Sequence, residues 1–141
     1  MKFDIKALAT QQFKALVTVS IPTEELNKDL ETVKAEARFI GVFRCLPVDV
    51  AMKQLEELQK LQESGDPMKS IAAAAKQMEQ YFVGFEAVPG EELPFTADGQ
   101  ALQSNVDNIR VLLNTKDIRD AVQQTWQEAR NKDLLAKNSR K

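Results

Sequence analysis

The chain has no histidine among its 141 residues, so the commonest general base and the commonest transition-metal ligand are both missing. Its one cysteine, Cys45, has no imidazole to activate it, cannot close an internal disulfide and alone cannot make a structural zinc site. It reads as a packed structural thiol in a reducing cytoplasm. The five glycines, at positions 41, 65, 84, 90 and 99, are too scattered to cradle a phosphate. Acidic pairs occur at Glu24-Glu25, Glu56-Glu57 and Glu91-Glu92. On a helix, adjacent side chains diverge by about 100° and do not share a site, so a carboxylate pair or a magnesium site would need partners from elsewhere in the fold. No catalytic, cofactor-binding or metal-binding residue is assigned, and function is sought in binding rather than in catalysis.

The length is that of one domain, which buries a core without metals or disulfides, and the single domain is expected to span 1–141 with loose ends at 1–12 and 131–141. A net charge of −2 with interspersed signs offers no basic face for nucleic acid. No apolar run approaches the roughly 20 residues of a membrane span, and MKFDIKALATQQ lacks the apolar stretch of a signal peptide. Neither nucleic acid nor membrane is expected as a partner.

Two stretches alternate. In 13–21, Phe13, Ala15, Val17, Val19 and Ile21 fall on one side, which predicts a half-buried strand that Pro22 should end. In 34–46, Ala35, Ala37, Phe39, Gly41, Phe43 and Cys45 share a face, and the two stretches are expected to pair antiparallel. The intervening TEELNKDLETV reads as a short helical turn or a long loop, and 31–38 reads equally as its helical continuation.

From Pro47 the period becomes helical. Ala51, Met52, Leu55, Leu58 and Leu61 or Gln62 form a stripe ending at Ser64-Gly65, and Asp66-Pro67 is an N-cap followed by proline at the first helical position. Met68, Ile71, Ala72, Ala75, Met78, Phe82 and Phe85 then follow at helical spacing, predicting one long amphipathic helix. Leu102, Val106, Ile109 and Leu113 mark a third helix, and Ile118, Ala121, Val122, Thr125 or Trp126 and Ala129 a fourth. The fold class expected is α+β: an N-terminal antiparallel strand pair packed with about four α-helices.

Between these helices VGFEAVPGEELPFTADG, residues 83–99, combines the breakers Pro89, Gly90 and Pro94 with the apolar Phe85, Val88, Leu93 and Phe95. It is either a latch that tucks onto the core or a binding surface. Tyr81 and Trp126 have the same two readings, core margin or partner hot spot. Tyr81, Phe85, Leu93, Phe95 and Trp126 are therefore the candidate partner-binding residues.

The order of these pieces resembles the tail assembly chaperones of long-tailed bacteriophages. The resemblance lies in Gly84-Phe85-Glu86-Ala87-Val88, the turn at Gly90-Glu91-Glu92, Leu93-Pro94-Phe95-Thr96, Val111-Leu112-Leu113 and the helix from Ile118 through Ala129. Upstream it includes Phe13, Ala15, Val19, Ile21 and Pro22, then Arg38, Phe39, Phe43 and Arg44. It covers roughly residues 13 to 130. Phe85 stands where tryptophan is commoner, and ADGQALQSN is a longer approach to the Leu-Leu helix than the family's.

This resemblance implies a non-enzymatic protein of the bacterial host cytoplasm, absent from the mature virion. Its implied task is to bind the tape measure protein and keep it soluble while tube subunits polymerise. It further implies contact with the tail tube protein through a frameshifted longer form, for which Ala136-Lys137-Asn138 is a candidate slippery site. Rival readings are a structural virion component, such as a small connector or tail completion protein, and an unrelated carboxylate hydrolase or transferase. A homo-oligomer is also open, because Phe39, Ile40, Val42 and Phe43 are apolar on both faces of their strand.

Overall fold

A computed structural model describes residues 2–139, with side chains through Ala129. The element order is α1(Ile5–Leu8), β1(Gln12–Leu26), β2(Thr32–Arg44), α2(Val48–Glu63), α3(Pro67–Met78), β3(Phe82–Glu86), β4(Thr96–Ala97), β5(Gln100–Ala101), α4(Val106–Leu113) and α5(Lys116–Ser139). The α+β class is as expected, but the strand pair is a three-stranded antiparallel sheet in the order β1-β2-β3. A separate two-stranded ladder joins β4 to β5.

The alternation places its inward set as expected. Phe13 faces Phe43, Val17 faces Phe39 and Val19 faces Ala37 across the β1–β2 ladder. Pro22 does not end β1. The strand runs on to Leu26, and the ladder shifts register between Pro22 and Leu26. β1 stands at the edge of the sheet, where a missing N–H can point away from the ladder. The segment thought helical or looped is a hairpin turn: the Asn27 side chain accepts from Asp29 N (2.9 Å) and Glu31 N (3.0 Å), and Leu30 takes a left-handed φ of 63°. Residues 32–38 are strand, since pairing with β1 outweighs the helical preference of Glu, Lys and Ala.

The expected long helix also divides. α3 stops at Met78, and Phe82 and Phe85 belong to β3, which pairs with β2 through Ile40–Glu86, Gly41–Phe85, Val42–Gly84 and Phe43–Phe82. Spacings of three and four residues fit a helix, but FVGFE is also strand-forming, and the open edge of β2 decides. Leu102 precedes α4 rather than joining it. The expected loose N-terminal end contains the one-turn α1, capped by Asp4 accepting from Lys6 N (3.0 Å). At the other end α5 continues to Ser139, and residues 140 and 141 lie outside the described residues.

One hydrophobic cluster occupies the inner side of the sheet. It takes Val17 and Val19 from β1, Phe39 and Phe43 from β2, Met78 from the end of α3, Tyr81 from the turn after it, Phe82 and Phe85 from β3, Ile109, Leu112 and Leu113 from α4, and Ile118 and Val122 from α5. Phe43 sits at its centre, with ring centroids 5.5 Å from Phe13, 5.6 Å from Phe82 and 6.1 Å from Trp126. Gly41 makes room for this: a Cβ there would come within 2.7 Å of the Phe43 ring and 3.1 Å of Val17.

Candidate functional site: an uncovered helical hairpin

The five candidate partner-binding residues converge, but on the core. Tyr81 and Phe85 are buried, and Leu93, Phe95 and Trp126 are half-buried and packed against the cluster. Tyr81 stacks on Trp126 with centroids 4.3 Å apart and planes 13° off parallel. Burial raises the Tyr81 phenol well above its usual pKa. Phe95 meets Phe39 edge to face at 5.2 Å. The segment after β3 is therefore tied down. Phe85 N donates to Ser104 Oγ (3.0 Å), Leu102 N donates to Phe95 O (3.0 Å), and Arg38 forks onto the Glu91 carboxylate, whose hydrogen bond and charge raise the guanidinium pKa further. Gly90, at φ 83°, makes the turn that returns Leu93 and Phe95 to the core. This geometry is that of a latch, and it leaves these five side chains little area to offer a partner.

Met52, Met68 and Met78 read from the sequence as gap-filling core rather than an adaptable binding groove; Met78 is buried, but Met52 and Met68 are 58% and 74% exposed on the surface of α2 and α3. Both helices are amphipathic as expected, and α3 has its expected cap, Asp66 Oδ1 accepting from Met68 N (3.1 Å), whereas α2 starts after Pro47 with no side-chain cap. Yet α2 has no buried residue at all. The two helices pack on each other, and their half-buried positions include Gln54, Leu58 and Leu61 on α2 and Ser70, Ala73 and Ala74 on α3. At the base of the pair, buried Gln77 donates from Nε2 to Gln54 O (3.0 Å), and Gln54 Nε2 donates to Gln80 Oε1 (2.8 Å). The hairpin is thus anchored by α3's last turn and by amide hydrogen bonds.

One residue on from each contact row the side chains rotate by about 100°. Both helices are right-handed and run in opposite directions, so Leu55 and Ile71 turn to the same side of the pair. With Val48, Met52 and Met68 they form an apolar face whose members are 47–75% exposed. Summed over the two stripes, one on each helix, these five side chains bare an area on the order of 500 Å². Beside it, an open groove of about 370 Å³ between α3 and α4 is floored by Ala72, Ala75 and Leu113 and rimmed by the Arg110–Glu79 ion pair, Lys76 and Asn114. Alanines on the floor let a further helix approach closely.

Among the described residues no group of three or more Cys, Asp or Glu side chains is placed to hold a metal ion, and no helix is long and apolar enough to cross a membrane. Cys45 is half-buried at the end of β2, its N–H donating to Gln11 O (2.8 Å). The fold and this surface define an α+β protein with a packed aromatic sheet core and an uncovered helical hairpin. Compared with family models, curated proteins and solved structures, the chain matches none.

Proposed function

We propose that this protein is a tail assembly chaperone of a long-tailed bacteriophage or prophage. It binds apolar helical segments of the tape measure protein and keeps that protein soluble in the host cytoplasm while the tail tube polymerises around it. The observation that carries the reading is the apolar face of α2 and α3, whose exposed Met52, Leu55, Met68 and Ile71 suit an amphipathic helix laid across them. The ordered motifs from Gly84 to Ala129 support it independently. They form the core and latch from which the hairpin extends, which moves the proposed contact surface from the latch to the hairpin. Contact with the tail tube protein is assigned to a longer, frameshifted product, and the protein is left out of the finished virion.

Co-expression with a coiled-coil-rich tape measure protein tests this. The two should elute together, and the tape measure should fall out of solution without the chaperone or with Leu55→Ser/Ile71→Ser. Separate elution with a tape measure soluble on its own would remove the reading. The rival reading of a ring-forming virion component draws on the position of β1 at the sheet edge. Stoichiometric presence of the protein in purified particles, measured by mass spectrometry, would favour it.

A further inference from the structure

The segment before β1 carries a second uncovered apolar surface. Phe3, Ile5 and Leu8 are 41–83% exposed, and α1 buries nothing. Its base is fixed beside the start of α2: Cys45 N donates to Gln11 O (2.8 Å), and α2 begins three residues later at Val48. From Gln11 back to Ile5 the chain spans up to about 20 Å when extended, and the path from Cys45 to Leu55 is at most about 20 Å, half of it the loop to Val48 and half the helix beyond. With α1 unwound, the segment is long enough to reach the apolar face of its own α2.

Asp49 and Glu56 each follow an exposed apolar residue of that face, Val48 and Leu55, and Glu63 recurs at the same seven-residue spacing, so the three carboxylates line one edge of α2, interleaved with Lys53 and Lys60, and leave that edge weakly acidic. None of them has an ion-pair partner among the described residues, and neither has Lys2 or Lys6, which flank Phe3 and Ile5.

We infer that residues 2–9 form a strap that closes over the α2 face of the same chain, placing Phe3 and Ile5 on Met52 and Leu55 and Lys2 and Lys6 on the acidic edge. The structure described here is the open arrangement. Closure covers the apolar face when nothing else does, and a partner helix must displace the strap to bind. That competition rests on the chaperone reading, whereas the closure rests only on exposure, reach and charge.

Disulfide trapping on the purified full chain, with no tape measure protein present, tests the closure. In a Cys45→Ala background, Ile5→Cys with Leu55→Cys should oxidise to a disulfide within one chain, running as a monomer without reductant. Lys2→Glu/Lys6→Glu should slow its formation several-fold. Removing residues 2–9, which contribute nothing to the core, should increase binding of an apolar fluorescent dye. A disulfide formed only between chains would overturn the strap in favour of a second copy as the occupant. Absence of any disulfide, or unchanged dye binding on removal of the segment, would overturn it outright. None of these results depends on capture of the tape measure, so either proposal can fail alone.

Discussion

Phe43 on β2 and Leu55 on α2 are large apolar side chains on neighbouring elements, yet one is wholly buried and the other is 59% exposed. Around Phe43, contributions from three strands and two helices close on one another, with rings at 5–6 Å. Around Leu55 a single partner helix touches one side of α2 and, among the described residues, nothing covers the other. Amphipathicity is thus satisfied in two ways within the same chain. In the sheet core the apolar side is spent on folding, and in the hairpin it stays available to another surface.

The contrast is broken or sharpened most strongly at its apolar extremes. Phe43→Ala should cost about 3–5 kcal/mol in chemical denaturation because it empties the centre of the core, while Leu55→Ser should stay within about 0.5 kcal/mol. Similar losses at both positions would show that the hairpin is part of the core. The latch comes next. Leu93→Ser/Phe95→Ser should lower the melting temperature clearly, and an unchanged melting temperature with lost tape measure capture would return those residues to the binding surface.

Gly41→Ala should cost about 1–3 kcal/mol, since the new methyl meets the immobilised Phe43 ring. Asp66→Ala removes the α3 cap and should cost about 1 kcal/mol, read as faster hydrogen exchange in the first turn of α3 with little change in the sheet. Smallest under ordinary conditions is a pH effect. The Tyr81 phenol has a higher pKa folded than unfolded, so above about pH 10 the unfolded chain loses a proton that the folded chain keeps. Stability is complete below that pH and falls as it is exceeded. Because Tyr81 is the only tyrosine, tyrosinate absorbance should rise together with loss of the Trp126 fluorescence signal of the fold.

Much of this was legible in residue order. The alternation of 13–21 and 35–45 gave the right inward faces, and Ser64-Gly65-Asp66-Pro67 marked the hairpin turn with its cap in place, because both signals are local. β3 was not legible as a strand. Phe82 and Phe85 continue the α3 spacing with no breaker before them, and only β2, distant in sequence, turns FVGFE into an edge. The β4–β5 turn was passed over although Asp98-Gly99, with φ of 53° and 79°, is the pairing such tight hairpins favour. The uncovered face was hidden for a deeper reason. A helical stripe reports that one side is apolar, and it is silent about what lies opposite.

The place of the hairpin in the chain has a consequence for how the domain is put together. β2 and β3 are adjacent antiparallel strands, and Arg44 N already donates to Tyr81 O (2.8 Å) across the point where α2 and α3 leave and return. The two helices are, topologically, an enlarged β-turn. Lengthening a closed loop from a few residues to this size costs only about 2 kcal/mol of chain entropy. A shortened chain joining Arg44 to Phe82 by a tight turn should therefore keep its three-stranded ladder while giving up the core contacts of Met78 and Tyr81. Outside residues 77–81, the hairpin can diverge in sequence, or be exchanged for another, without the sheet's ladder being renegotiated.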